Sequence, residues 1–530
     1  MVVPVYDAGP YLDRCVRSLL DQTLPPEELE LVFVDDGSTD GSGDQLDAVA
    51  RDHAQVRVVH QENSGWPGRP RNVGLAAARG TYVFFCDADD WLAPDALADL
   101  WAFATESSSD VVLPKMAGVR RTVPHHVFAR TVASTSLADG PLMESLTAHK
   151  LFRRAFLEEH RIRFPEGRRR LEDHLFVVTA YLLADVVSIY AEHTCYTHTR
   201  REDEGNLTSG PVDWDGYFAN LAESVEVVER HLEPGPLRDR VLRRWLQTEM
   251  VARLSGQRYL GLDPDEGARL FTAASRLTRA HFGPGVVALL PQGLRPVARA
   301  LLDGDAERVR RQAESVVAWK SRAELLQADW SGPVLRLSGS VDQHEDPRAH
   351  RPEDQDRAGP GDLPEVRFWT LFGDDRDQPA LRGRALSVTL TERGRGEQWH
   401  VPGTLHGSGL TGTFTADVDL RTVAGGRPLS SGTWDLAAHF KVLGVGGRVR
   451  VRVVEERAGS LGVARTSLPA VEARVLHTAR AVSVEVLPRA TAPARWARSG
   501  LRGVGRRLPP GARRRLRQLV RQVSTTRTSR

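Results

Sequence analysis

The chain has 530 residues and a net charge of +2, with 41% apolar, 26% charged and 7% aromatic residues, which is the composition of an ordinary globular protein long enough for three or more folded units. No stretch approaches the roughly 18 to 20 uninterrupted apolar residues of a spanning helix. The three cysteines, Cys15, Cys86 and Cys195, are odd in number and far apart, excluding a disulfide framework and a thiolate zinc site.

The opening Met1-Val2-Val3-Pro4-Val5-Tyr6-Asp7 has no basic start, apolar run or small-residue cleavage site, so the expected compartment is the cytoplasm. From Met1 to about Val112 short apolar runs alternate with helical patterns, predicting βαβ units and a mostly parallel sheet. Val2 to Tyr6, Leu31 to Val34, Val56 to Val59 and Tyr82 to Cys86 read as buried strands. Leu12, Cys15, Val16, Leu19 and Leu20 fall at helical spacing between the first two. Asp40 and Pro94 each open a periodic segment, with Asp40 and Asp95 placed to cap helices.

From about Val212 to Trp330 the pattern becomes consecutive helices, with Leu237, Val241, Leu242, Trp245, Leu246 and Met250 along one face. From about Val334 to Val486 the period becomes two, as in Thr413, Ala416, Val418, Leu420 and in Trp434, Leu436, Ala438. Glycine-rich turns separate these runs, predicting an antiparallel sandwich. The polar stretch from Asp342 to Pro364 reads as a loop or linker. Trp369, Trp399 and Trp434 are expected in the core rather than stacked on sugars.

The expected division is therefore 1–211 as an α/β nucleotide-binding domain, 212–330 as a helical linker or bundle, 331–488 as a β-sandwich and 489–530 as an arginine-rich tail. That tail holds thirteen arginines and no acid, so the first 488 residues carry −11 of charge. Arg513, Arg514, Arg515, Arg517 and Arg521 surround Leu516, Leu519, Val520 and Val523, a pattern that suits either a short basic amphipathic helix on an anionic membrane, through residues 511–523, or a solvated tail. No helix-turn-helix, zinc spacing or stacking-aromatic motif accompanies the charge, so nucleic acid is not an expected partner.

Two acidic clusters follow predicted strands: Asp35-Asp36, and Asp87-Ala88-Asp89-Asp90. Open α/β sheets bind ligands at that edge. Converging carboxylates repel one another and any phosphate unless a divalent cation neutralises them, and oxygen ligands suit Mg²⁺ or Mn²⁺.

Val3-Pro4-Val5-Tyr6, Val34-Asp35-Asp36-Gly37-Ser38-Thr39-Asp40-Gly41, Arg71-Asn72-Val73-Gly74-Leu75, Gly80 with Tyr82 to Asp90, and Leu171-Glu172-Asp173-His174-Leu175-Phe176 give residues 1–210 a resemblance to the inverting family 2 glycosyltransferases of the GT-A fold, a Rossmann-like mixed sheet. Within that family Asn63 to Asn72 is most similar to the transferases that add N-acetylglucosamine to the polyol phosphate of wall teichoic acid, which also carry C-terminal immunoglobulin-like domains.

The resemblance implies a role for each matching position. Pro4 and Tyr6 would line the nucleotide pocket, and Asp36 would accept a hydrogen bond from the uracil imide. Arg71 would sit beside the base or diphosphate. Asp87 and Asp89 would form the DXD element, Asp87 near the ribose and Asp89 on the metal. Glu172-Asp173 would be the acidic pair, Glu172 on the donor side and Asp173 the base that deprotonates the acceptor hydroxyl. His198 would be a third metal ligand or a diphosphate contact, with Arg200, Arg201 and Asn206 covering the diphosphate and Gly65 to Pro70 forming a loop over the donor. At Asp7 the family more often has asparagine.

The expected activity is metal-assisted transfer of a sugar, N-acetylglucosamine first, from a UDP-sugar to a hydroxyl of an anionic cell-envelope polymer or glycan, by an enzyme in the cytoplasm or peripheral at the inner face of the membrane. Two rivals stay open: another UDP-hexose serving capsular, exopolysaccharide or lipid-linked glycan synthesis, and an inactive glycan-binding scaffold. The β region could also support homo-oligomer contacts.

Overall fold

The computed structural model describes residues 1–121, 123–201, 210–345, 385–394, 396–408, 411–424, 426–442, 445–452, 465–467, 471–478 and 481–488. Three parallel strands, β1 (Val2–Val5), β2 (Leu31–Asp35) and β3 (Val56–His60), pair in that order. Helices α1 (Tyr11–Leu20) and α2 (Ser42–Asp52) connect them. Val2, Val3 and all of β2 are buried, as expected of parallel strands covered on both faces. Leu12, Cys15, Val16 and Leu19 form the buried stripe of α1, and all three cysteines are free and buried.

After α3 (Gly68–Ala77) comes β4 (Tyr82–Phe84), and a parallel bridge between Val2 and Phe85 joins it to β1. Next follow β5 (Trp91–Leu92), α4 (Ala96–Glu106), β6 (Val111–Pro114), β7 (Met116–Val119), β8 (Val132–Thr135), β9 (Leu151–Arg153), α5 (Arg154–Glu159), α6 (Glu172–Leu183), β10 (Val187–Tyr190) and β11 (Tyr196–Thr199). The second half of the sheet runs β4-β9-β6-β10-β8, with β9 antiparallel to both neighbours, so the sheet is mixed. A separate ribbon, β5-β11-β7, lies beside it.

Two details differ from the sequence reading. The first strand ends at Val5, leaving Tyr6 45% exposed, because Asp7 turns the chain with φ +41°. Its carboxylate then accepts from the Thr39 amide at 2.7 Å. Asp40 does bond the Ser42 amide at 3.0 Å, but Asp95 makes no capping bond with its side chain.

The helices that follow are α7 (Trp214–His231), α8 (Pro236–Trp245), α9 (Gly256–Leu260), α10 (Pro264–His281), α11 (Pro284–Ala288), α12 (Arg295–Asp303) and α13 (Ala306–Ala318), with a π-helical turn at Leu246–Val251. Val241, Leu242, Trp245, Leu246 and Met250 are buried, whereas Leu237, in the first turn of α8, is exposed.

The helices stop at Ala318. Trp319 to Trp330, expected as helix, belong to a strand, β12 (Trp319–Ser331), which forms a hairpin with β13 (Val334–Glu345) across Gly332 at φ +58°. A register shift between Leu325 and Gln327 breaks the apolar alternation of Trp319, Ala323, Leu325 and Ala328, which is why the period-two signal is hidden there. The expected loop from Asp342 likewise begins as the end of β13, and 346–364 lie outside the described residues.

The remaining strands are β14 (Ala385–Glu392), β15 (Glu397–Ser408), β16 (Thr411–Asp419), β17 (Gly432–Val442), β18 (Val445–Arg452), β19 (Arg465–Ser467), β20 (Val471–Thr478) and β21 (Ala481–Pro488). Antiparallel pairing runs β12-β13-β16-β15-β14-β17-β18, and a short parallel contact of Ala323 with Val451 closes it onto β12. Fully buried Trp434 packs in this core and Trp399 partly so; Trp369 and the 489–530 tail, including 511–523, lie outside the described residues. The β-rich part meets the first unit where β15 extends the ribbon: Glu397 and Gln398 pair with Val119 and Gly118, and His125 stacks on His400 at 3.7 Å between centroids.

Candidate active site

The two acidic clusters lie at the carboxyl ends of strands on either side of β1, at matching strand ends as the sequence places them. The Asp36 amide donates to Val5 O at 2.8 Å, which sets Pro4, Tyr6 and Asp36 side by side at the carboxyl edge of β1 and β2. The Asp36 carboxylate is buried. Gln61 and the Ser64 amide donate to its Oδ1, and the Ser64 amide and hydroxyl, at 3.1 and 2.8 Å, donate to its Oδ2. The acceptor expected for uracil is thus held here by the chain's own loop. Asp35 is a structural residue, accepting from Ser38 N at 3.0 Å and lying 2.9 Å from His60 Nδ1.

Arg71 sits on α3, which packs tightly at both ends. A Cβ at Gly68 would meet Pro165 O at 2.3 Å and one at Gly74 would meet Val2 at 2.3 Å. Asn72 clamps the loop before α6, donating to Phe164 O at 2.8 Å and accepting from Phe164 N at 2.9 Å. Buried Arg71 then donates to Asp87 Oδ1 at 2.8 Å and to Glu172 Oε1 at 3.0 Å. One guanidinium therefore joins the two acidic motifs, and the Coulomb attraction of Asp87 and Glu172 raises its already high pKa despite burial.

Burial opposes ionisation of Asp87, but His149 and Arg71 outweigh it and hold its carboxyl well below the usual range. Burial and the neighbouring Asp87 push Asp89 up to about 6. Asp90 is raised further by burial and by Asp89; Tyr196 donates to its Oδ2, and the Thr199 amide donates to its Oδ1 at 2.6 Å. Carboxylate oxygens of Asp87, Asp89 and Asp90 all lie within 4.8 Å of one another, as do ligand atoms of Asp90, His149 and His198. Three carboxylates this close together, offering oxygen ligands, fit a hard divalent cation. His198 is buried, and desolvation with Arg121 and His149 nearby keeps its imidazole neutral, the form a metal ligand needs. It belongs to the second cluster, so Asp89 and His198 meet only through Asp90.

The acidic pair opens α6. Leu171 before it has φ +67°, a strained conformation for a branched side chain. Glu172 is not a solvated helix end: it is buried, with Trp66 Nε1 donating to Oε2 at 2.8 Å. Asp173 is half-buried, and its Oδ1 accepts from the His174 amide at 2.9 Å. Burial and adjacent Glu172 push its carboxyl up to about 7, the range in which a carboxylate works as a proton acceptor. In the next loop Arg201 donates to Asp7 O at 3.1 Å and Arg200 is exposed; Asn206 lies outside the described residues.

Three participants, His149, Tyr196 and Lys150, escape sequence reasoning, while Trp66 falls in the loop expected over the donor. His149 lies 3.0 Å from Asp87 Oδ2 and stacks on Tyr196, whose hydroxyl also accepts from the Asp87 amide at 3.2 Å. Trp66 closes over Glu172. Lys150 is fully buried, donating to Ser145 Oγ at 3.1 Å, with burial pushing it down to about 7. No spacing signals any of these three; His149 is 62 residues from Asp87 and one of 17 histidines.

A mixed α/β sheet with paired carboxylates at its carboxyl edge and an acidic helix start joined to them by Arg71 is the architecture of the GT-A fold. The chain belongs to glycosyl transferase family 2: the model of that family matches residues 1–170, and one described as the glycosyl transferase TarS linker domain matches 214–313. The chain is 36% identical over 231 residues to a poly(ribitol-phosphate) beta-glucosyltransferase of Bacillus spizizenii, covering 43% of this chain and 36% of that one. It is equally identical over 248 residues to the poly(ribitol-phosphate) beta-N-acetylglucosaminyltransferase TarS of Staphylococcus aureus, covering 46% and 43%. The match thus spans less than half the length of these relatives. The crystal structure of S. aureus TarS 1-349 in complex with UDP-GlcNAc superimposes with a TM-score of 0.54 at 31% identity, covering 59% of this chain and 89% of that one. Full TarS, at 21% identity and TM-score 0.54, covers 93% and 85% and shares the fold across the β-rich part.

Proposed function

We propose that the protein is a metal-dependent inverting glycosyltransferase that moves N-acetylglucosamine from UDP-N-acetylglucosamine to a hydroxyl of a polyol-phosphate polymer of the cell envelope. The observation that carries this reading is the Arg71 bridge, which joins Asp87 of the acidic cluster to Glu172, the neighbour of a base candidate, Asp173, raised to about 7. The relatives' names support the acceptor class.

Pro4 and Tyr6 line the base site, with Asp36 and the Ser64 loop forming its floor. Asp89 with Asp87, and His198 through Asp90, would hold Mn²⁺ or Mg²⁺, which when bound supplies Lewis-acid neutralisation of the departing diphosphate. Asp173 accepts the proton of the acceptor hydroxyl as its oxygen bonds to the anomeric carbon. The bond from that carbon to the UDP oxygen breaks, UDP leaves, and configuration inverts once. Glu172, fixed by Arg71 and Trp66, orients the donor and shields the site from water.

A second donor, UDP-glucose, is favoured by one observation: the B. spizizenii glucosyltransferase is as similar as TarS, at 36% identity. The same reading divides the chain into a catalytic unit to about 211, a helical linker, a β-rich unit serving acceptor or oligomer contacts, and a basic tail. We place the enzyme in the cytoplasm with the tail at the anionic inner membrane face; among the described residues no helix is long and apolar enough to cross a membrane. Liposome sedimentation of full-length chain against a chain ending at Pro488 tests the tail, and equal binding removes that role.

UDP release from a panel of UDP-sugars with poly(ribitol phosphate) and Mn²⁺, with and without chelator, on wild type and Asp173→Asn tests the whole. Metal-dependent turnover of one sugar, lost in the variant, is the expected result. Neither turnover nor metal-dependent UDP binding would overturn it in favour of an inactive scaffold.

A further inference from the structure

We propose that Trp245, in the helical segment beyond the 170 residues of the family match, is a positioning residue for the Asp173 carboxylate and acts through His174. The proposal rests on the reading of Asp173 as the base. Two hydrogen bonds run in series. Trp245 Nε1 donates to His174 Nδ1 at 3.2 Å, both rings buried, and the backbone amide of the same His174 donates to Asp173 Oδ1 at 2.9 Å. Holding the His174 ring holds the first turn of α6 and, with it, the rotamer of Asp173.

Chemistry fixes the direction of the first bond. An indole N–H only donates, so Nδ1 accepts and the imidazole is neutral with its proton on Nε2. Protonating Nδ1 would set two donors against each other. The surroundings agree: burial, with Arg244 next, pushes His174 down to about 3.

The Trp245 end of α8 is itself fastened. It runs directly into the π-helical turn Leu246–Val251, a rare element that concentrates at functional sites. Glu249 in that turn is buried and accepts from Tyr217 Oη at 2.6 Å, Arg244 at 3.2 Å and Arg253 at 2.8 Å. Attraction to Arg253 and Arg244, with the Tyr217 hydrogen bond, outweighs burial and keeps Glu249 ionised. A charged, fully bonded anchor thus sits one helical turn beyond the indole that steadies the base, so the linker is part of the catalytic geometry rather than a spacer.

The test compares Trp245→Phe, which keeps the ring and removes the donor, with His174→Leu, His174→Asn and the Trp245→Phe/His174→Leu double variant of the full chain. The readouts are UDP release from the UDP-sugar that turns over, with Mn²⁺ and poly(ribitol phosphate), and UDP affinity by calorimetry. Trp245→Phe and His174→Leu are each expected to lower kcat about five- to tenfold, with donor KM and Mn²⁺-dependent UDP affinity within about twofold. The double variant is expected to be no worse than the poorer single one, since the two act in one chain of contacts. His174→Asn, whose amide oxygen can take the place of Nδ1, retains most of the rate. Wild-type kcat in Trp245→Phe while Asp173→Asn is inactive overturns the proposal, as do additive losses in the double variant. If Trp245→Phe melts below the assay temperature, equal loss in His174→Asn and His174→Leu overturns it, and retention in His174→Asn alone supports it. An active Asp173→Asn sinks the base reading, and this proposal with it.

Discussion

His149 Nε2 lies 3.0 Å from Asp87 Oδ2, on the carboxylate oxygen that Arg71 leaves open. Burial lowers the pKa of His149, so the neutral ring donates from Nε2, and its stack on Tyr196, 4.6 Å between centroids, fixes its plane. Asp87 is therefore held from two sides, with its remaining lone pairs directed by the protein. His149→Leu is expected to weaken Mn²⁺-dependent UDP binding about tenfold, while His149→Gln, which keeps a donor near Nε2, binds within about threefold of wild type. Calorimetric titration of UDP at fixed Mn²⁺ reads both, and equal loss in the two variants would reduce His149 to a packing residue.

The parts of this site that sequence exposes are those with strong local constraints. Leu31 to Val34 and Tyr82 to Cys86 are continuous apolar runs ending in acids, so both strands and both clusters are visible in the sequence pattern alone. Arg71, Glu172 and Asp173 are recognisable from family motifs, yet their contact is not: Arg71 and Glu172 are 101 residues apart, and contacts such as the Asn72–Phe164 clamp bring them together. His149 acts through geometry created by other elements and leaves no periodic or spacing signal, and Trp66 is legible as part of the donor loop but its bond to Glu172 is not. Farther along, β12 escapes because its register shift after Leu325 breaks the alternation on which a strand is recognised. The bonds from Ser64 to Asp36 likewise leave no signal in the sequence.

Arg71 is the cationic partner of Glu172 and, with His149, one of two groups gripping Asp87. Removing one member of a buried ionic network leaves the others uncompensated and costs about 3 to 5 kcal/mol. Arg71→Ala is expected to lose both UDP binding and several degrees of melting temperature. Arg71→Lys, which keeps the charge but cannot reach both acids as a fork, should recover stability more than turnover. Thermal melts paired with kcat/KM would separate these effects; an Arg71→Lys variant of wild-type activity would refute the bridging role.

Trp66 connects the loop carrying Ser64 to the acidic pair. Its indole N–H to Glu172 at 2.8 Å and the Ser64 bonds to Asp36 fasten this loop at two points. Trp66→Phe removes one fastening and keeps the ring, so donor KM is expected to rise about three- to tenfold with kcat changed less. Steady-state kinetics over a range of UDP-sugar concentrations decides it, and a loss confined to kcat would instead place Trp66 with the reacting groups.

Asp173 makes a prediction with opposite signs for rate and stability. As a base it works only when ionised, and burial with Glu172 beside it raises its carboxyl from 3.8 to about 7, so turnover is expected to climb as pH rises through 7. For folding the same shift acts the other way. A carboxyl whose folded pKa exceeds its unfolded one is penalised wherever the unfolded chain would ionise it; this destabilisation is absent below about pH 4, grows from there and is complete above about pH 7. Asp173→Asn, neutral at every pH, is therefore expected to be more stable than wild type at pH 8, on the order of 2 kcal/mol after allowing for partial exposure, and to show no such gain at pH 4. Its rate should fall at least about a hundredfold. Melting curves at pH 4 and 8 beside a pH–rate profile read both arms. A wild-type profile with no acid limb near 7, together with no pH-dependent stability gain in Asp173→Asn, would show that this carboxyl titrates like an ordinary surface acid.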